Sequence, residues 1–185
     1  TSGSKMECGM SQVLRLFTVG NGLFEYPLNI NRVLAWLNAS ICPIRSKLRR
    51  ALADVITSSG GVFNQQWNEI VGSYFNDIED EQERNSQRAD FEIFLPVPTR
   101  EGIDVEVLVT FNKKLSKWAI RLANSKFQLE TVIRDQLLQL SEYCNLLITL
   151  ASEERIKNIK PLQLQRWCQN IVSTESCQLY PAEIG

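Results

Sequence analysis

Three sets of side chains in this sequence have the types and spacing to do chemistry: paired carboxylates, a run of cations and scattered thiols. Asp104 and Glu106 stand two residues apart. On an extended strand they would share a face, roughly 7 Å from one another, and Glu92 would join them if its segment paired alongside. Carboxylates so placed can hold a metal or divide acid–base work, but a solvated sheet face with charges at alternate positions has the same spacing, and no metal is assigned. The acidic run Asp77, Glu79, Asp80, Glu81 and Glu83 lacks the D-x-[DN]-x-[DN]-G pattern and the glycine on which a calcium loop turns. It reads as a solvated helix end or loop. Arg45, Lys47, Arg49 and Arg50 crowd one predicted helix, 44–56, and such a face can meet several phosphates. Arg100, Lys113, Lys114, Lys117 and Arg121 extend that patch if the turns carrying them lie nearby.

The cysteines (Cys8, Cys42, Cys144, Cys168 and Cys177) are odd in number and widely spaced, with no CxxC pair. Zinc ribbons and thioredoxin-type redox motifs are therefore absent, and buried, reduced thiols are expected. Histidine is 0 in the 185 residues. That removes Ser-His-Asp and Cys-His arrangements, histidine general bases and histidine-ligated metals. Neither G-x-x-x-x-G-K-[ST] nor G-x-G-x-x-G occurs, so no phosphate-cradling loop is readable and no cofactor is assigned. The match of Asn38-Ala39-Ser40 to the glycosylation sequon lies within a helical apolar pattern and is treated as chance.

The elements that would position these residues follow from periodicity. From Asp90 to Leu122 three runs alternate: Phe91, Ile93 and Leu95; Ile103, Val105, Val107, Val109 and Phe111; Trp118, Ile120 and Leu122. Period-two alternation predicts an antiparallel meander with an apolar inner face. Gln12–Tyr26 reads as a hairpin turning at Gly20-Asn21-Gly22. Around these the period becomes helical. A short helix carries Val33, Trp36 and Leu37, capped by Asn29 or Asn31. Pro43 opens the basic helix, which ends at Ser58-Ser59-Gly60-Gly61. Asn64 caps a helix with Trp67, Ile70, Val71, Tyr74, Phe75 and Ile78 on one stripe. A long helix from Asn124-Ser125 to about Ala151 buries Leu129, Ile133, Leu137, Leu140, Cys144, Leu147 and Ala151, and Pro161 begins the last helix.

The fold class expected is thus α+β, an antiparallel meander with an N-terminal hairpin packed on several helices. Residues 12–173 form the single domain, 1–11 a vector-derived linker and flexible N-terminus, and 174–185 a tail on which Leu179, Tyr180 and Ile184 are free to dock. Hydrophobic residues at 44% and charged residues at 22% support a buried core. Lys+Arg 20 against Asp+Glu 21 gives a net charge of −1 and no global pull toward nucleic acid or anionic membrane. No apolar run is long enough to span a bilayer and no signal peptide is recognisable, so an intracellular protein, cytoplasmic or nuclear, is expected.

Two places break the pattern. Phe94 and Leu108 fall on the outward face of the meander, where alternation calls for polar residues, and Val132, Leu138, Leu146 and Ile148 widen the apolar arc of the long helix. Phe94, Leu108, Val132, Leu138 and Ile148 are therefore the candidate partner-binding residues. The order of helix, meander and long helix over 64–151, with Trp-Asn-Glu-Ile-Val-Gly-Ser-Tyr-Phe-Asn-Asp-Ile-Glu at 67–79, resembles the RWD domains, non-catalytic relatives of ubiquitin-conjugating enzymes. Their Tyr-Pro-x-x-x-x-Pro turn is missing here. The resemblance implies an adaptor in a larger assembly, such as a kinetochore or ubiquitin-pathway complex. The leading expectation is a non-catalytic protein–protein interaction domain, a subunit, adaptor or dimerisation module, with a protein partner or a second copy of itself. The alternatives are an RNA- or DNA-binding module using Arg45, Lys47, Arg49 and Arg50, and a histidine-independent enzyme whose site is unlocated.

Overall fold

A computed structural model of the chain describes residues 11–126 and 128–178, the side chains of 175–178 excepted. Cys8, the side chain of Cys177, residues 1–10 of the expected linker and N-terminus, and Leu179, Tyr180 and Ile184 of the expected tail lie outside that description. The described chain is helical: α1 (Gln12–Gly22), α2 (Ile30–Leu37), α3 (Ser46–Ser59), α4 (Gln65–Asn76), α5 (Glu81–Phe94), α6 (Val105–Ala123), α7 (Thr131–Glu153) and α8 (Pro161–Gln178). Two dipeptides, β1 (Ile103–Asp104) and β2 (Asn158–Ile159), pair antiparallel with Ile103 opposite Ile159. α6 and α7 form the central antiparallel pair, α1 lies against α7 and α8, α5 packs on α6, and α2 to α4 continue the layer.

The expected meander is therefore corrected: its first two strands and its third are parts of helices α5 and α6. The stretch 103–123 carries two periodicities at once. Val105, Val107 and Val109 alternate, but Leu108, Phe111, Asn112, Leu115, Ser116, Ala119 and Ala123 recur at three- and four-residue spacing, and these are the buried positions. Asp104 sets the helix start by accepting hydrogen bonds from the Glu106 and Val107 N–H groups (2.8 and 3.4 Å). β-Branched residues cost tenths of a kcal/mol each in a helix. Burying Leu108, Phe111 and Leu115 contributes about 1.5–3 kcal/mol apiece, so the helical stripe wins and Val107 is left half exposed.

α5 is explained likewise. Asp80 accepts from Glu83 N–H (2.8 Å) as N-cap, and Phe91 and Phe94 turn inward one helical turn apart, onto Phe75 and Phe111. Phe94 and Leu108, expected to face outward, are core residues at 5% and 0% exposure. The predicted hairpin 12–26 is mostly α1, capped by Ser11, whose hydroxyl accepts from Leu14 N–H (3.2 Å). Val13, Leu16, Phe17, Gly20 and Asn21 are its buried face. Gly20 serves close approach rather than a turn: a Cβ there would lie 2.9 Å from ring carbons of both Phe111 and Trp36.

The helices expected on capping and periodic grounds are present. Asn29 and Asn64 cap α2 and α4, Gly60 closes α3 at φ 68, and Pro161 opens α8. Pro43 does not open α3, which starts at Ser46 after the extended Arg45. Asn124-Ser125 ends α6 instead of starting α7.

α1 is fixed to α6 by two fully buried amides. Asn21 Nδ2 donates to Asn112 Oδ1 (3.2 Å) and Asn112 Nδ2 donates to Asn21 Oδ1 (2.8 Å). Each Nδ2 also donates to the carbonyl one turn back in its own helix, Phe17 at 2.8 Å and Leu108 at 3.0 Å. Both amides are thereby satisfied without water, and a shift of either helix along the other would strand them. Asn112→Ala should accordingly cost about 2–3 kcal/mol in urea unfolding. The Asn21→Ala/Asn112→Ala double variant should cost less than the two single losses together, with a coupling of roughly 1 kcal/mol or more. Strict additivity would show that the pair contributes no joint stabilisation.

Candidate functional site

A concave surface lies between the end of α5, the turn 95–102 and the start of α6. Pro96 and Pro98 cannot continue a helix, so α5 stops at Leu95, and the buried Leu95 and Pro96 pin the turn to the core. Thr99 Oγ1 donates to the Gly102 carbonyl (3.0 Å). Gly102 adopts φ +103, with space for a Cβ limited by the Ile159 carbonyl at 3.1 Å, a conformation that favours glycine. Val105 N–H donates to the Lys157 carbonyl (2.9 Å), so the turn is fastened to the α7–α8 connection. Val97 of the turn is exposed at 68% and Val107 of α6 at 50%, and both line the same concavity.

The groove that results encloses about 780 Å³. Its apolar surface comes from Ile93, Val97, Pro98, Ile103 and Val107, and its carboxylates are Glu92, Glu101, Asp104 and Glu106. Among the described residues, no lysine or arginine lines it. Arg100, adjacent in sequence, is turned away: its Nε donates to Tyr26 Oη (2.9 Å) and its guanidinium carbon sits 5.7 Å from the Tyr26 ring centre. Arg88 reaches Glu92 at 3.5 Å in an exposed i,i+4 pair, a weak and easily exchanged contact.

Three residues singled out from sequence, Glu92, Asp104 and Glu106, do meet here, on neighbouring helices rather than on one sheet face. Asp104 is engaged as the α6 cap, and among the described residues no group of three or more His, Cys, Asp or Glu side chains is placed to hold a metal. The basic face of α3 is partly structural. Arg49 is half-buried, and its Nη1 donates to the Leu37 carbonyl (3.0 Å) and the Ala39 carbonyl, closing the end of α2. Arg45, Lys47 and Arg50 remain exposed. Of the residues expected to extend that face, Lys114 pairs with Asp90 of α5 at 2.8 Å and Arg100 holds Tyr26. On α7, Val132 and Leu138 are exposed at 62% and 40%, while Ile148 is half-buried. Val132 and Leu138 lie roughly 120° apart around the helix and form no common face. No helix among the described residues is long and apolar enough to cross a membrane.

Val97 and Glu101 were not among the sequence candidates. The signal for them is the valine isolated between two prolines, which cannot join a ladder and has no helix to bury it. No protein-family profile, curated protein or solved structure matches this chain, and the order of elements behind the RWD resemblance is not the order seen, since helices replace the meander.

The three described thiols lie away from the groove and are unreactive in kind. Burial pushes Cys42 up to about 11, against smaller opposing effects of a backbone hydrogen bond at Ile44 and the Arg49 charge. It pushes Cys168 up to about 12 and raises Cys144 further, with Cys168 adding to the effect. A thiol so held is not a nucleophile near neutral pH. Because ionisation is favoured in the unfolded chain, the Cys42 contribution to stability is complete below pH 9.0 and is lost as the pH rises through about 11. In a Cys8→Ser/Cys177→Ser variant, labelling by an aromatic disulfide at pH 8 should therefore run no faster than unfolding, and urea should accelerate all three thiols together. A thiol that labels rapidly in the folded protein would contradict this.

Proposed function

We propose that this chain is a non-catalytic protein-interaction module whose docking surface is the groove between α5, the turn 95–102 and the start of α6. The observation that supports it is the exposure of Val97 and Val107 in the lining of one cleft, whose backbone is held by caps, prolines and the β1–β2 ladder. Apolar side chains grouped in a concavity, ringed by charge, mark surfaces that bury themselves against another molecule. A pre-formed groove also spares a partner the entropy of ordering it.

The exposed apolar residues of α7 are less suited to the task. Val132 and Leu146 of α7 lie near one side of the helix but roughly 21 Å apart along its axis, and Leu138 is on another side. Phe94 and Leu108 belong to the core and have no surface to offer. With Arg49 committed to the end of α2, the basic helix presents three exposed cations, Arg45, Lys47 and Arg50. That is a sparse electrostatic footprint for nucleic acid.

The test is a displayed-peptide selection against the wild-type protein, followed by binding measurements on a Val97→Glu/Val107→Glu variant. Both substitutions are fold-neutral by position: Val97 is in a solvated turn, and Val107 sits in the first turn of α6, where a carboxylate complements the helix dipole. Melting should be unchanged, while selected peptides lose at least about tenfold in affinity, the worth of one well-buried apolar anchor. Selected peptides that bind the variant as tightly as the wild type, or a selection that enriches none, would overturn the proposal.

A further inference from the structure

The groove has a sign as well as a shape. Over the whole chain, positive and negative side chains nearly cancel, to a net charge of −1. The groove lining departs from that balance, with Glu92, Glu101, Asp104 and Glu106 and no cation. Asp104 is occupied by the Glu106 and Val107 N–H groups, and Glu106 faces the positive end of α6. Glu101 lies exposed in the turn with no such duty, and Glu92, near the end of α5 where the helix dipole favours a cation instead, is met only by the exposed and easily exchanged Arg88 pair at 3.5 Å. The one cation next to them in the turn, Arg100, is drawn off by Tyr26.

We infer that the occupant of the groove is a cationic amphipathic segment of another protein, with apolar side chains for Val97, Val107 and Ile93 and lysine or arginine for the rim. The inference rests on the docking function proposed above and names its partner class. The same rim repels phosphate backbones and anionic membrane surfaces, which excludes both as occupants of this cleft. A protein segment carrying basic residues gains complementary potential at the rim and hydrophobic burial between the walls. Its association is steered by the carboxylates and is therefore sensitive to salt.

The experiment uses the full chain, isotope-labelled for amide correlation spectra, and three synthetic probes of equal length: amphipathic Leu/Lys, Leu/Gln and Leu/Glu peptides. The Leu/Lys peptide should shift amides of residues 89–93 and 97–107, bind at least tenfold more tightly than the Leu/Glu peptide, and weaken as salt is raised from about 50 to about 300 mM. In a Glu92→Lys/Glu101→Lys variant with unchanged melting, the preference should reverse toward Leu/Glu. Groove shifts with all three peptides at similar affinity would overturn the cationic partner and leave the docking surface standing. Binding of Leu/Lys that shifts only amides elsewhere, or that ignores the charge reversal, would overturn the inference as well. If no peptide perturbs the groove, both the inference and the docking function fall.

Discussion

The buried exchange of hydrogen bonds between Asn21 and Asn112 sets the register on which the rest of the fold depends. Neither amide can find water at 1% and 0% exposure, so each must meet the other, and a one-residue slip would leave polar groups unpaired in a low-dielectric interior. Phe111, next to Asn112, then has its place decided: its ring meets Phe24, Trp36 and Phe94 at centroid distances of 5.3, 5.9 and 6.1 Å. Through those three rings one helix position draws together the segment after α1, the helix α2 and the end of α5. Gly20 completes the arrangement by letting Trp36 and Phe111 approach the α1 backbone.

A second buried polar contact repeats the device one turn further along α6. Ser116 and Ser141 share a hydrogen bond of 2.6 Å in the α6–α7 interface, and Ser116 also reaches Asn145 Oδ1 at 3.3 Å. Small polar residues let these two helices pack closely while marking a preferred alignment. Apolar burial supplies the drive to collapse, and the amide and hydroxyl pairs select one alignment from the several that burial alone would tolerate. The groove inherits its shape from this, because α5 packs on α6 and the start of α6 is held by Asp104 and by the β1–β2 ladder.

Helix boundaries marked by local chemistry were legible in the sequence, as at Asn29, Asn64, Gly60 and Pro161, and so was the buried stripe Leu137, Leu140, Cys144, Leu147 and Ala151 of α7. The central stretch was misread because Val105, Val107 and Val109 satisfy a strand's alternation while Leu108, Phe111, Leu115 and Ala119 satisfy a helix's period. Which wins depends on the surface available for burial, and that comes from α1, α5 and α7, distant in sequence. Glu92, Asp104 and Glu106 were grouped correctly for an incorrect reason, since the carboxylates approach across two helices and a turn. For Val97 the local signal is its place between two prolines; the groove it lines also needs Ile103, Val107 and Asn158, which local pattern does not connect to it. Of the described thiols, Cys144 and Cys168 are buried as expected and Cys42 is partly buried.

The length of chain between the two halves of the amide pair also has a temporal meaning. Asn112 follows Asn21 by 91 residues, so at a ribosomal rate of about 5–20 residues per second α1 waits roughly 5–20 seconds for its partner. During that interval Leu16 and Phe17, later among the most enclosed side chains of the protein, have the chain as far as α5 but neither α6 nor α7, whose Tyr143 ring meets Phe17. Part of the apolar face of α1 therefore stays uncovered until α6 and α7 have both emerged, and the pairing of Asn21 with Asn112 is a long-range event in the chain.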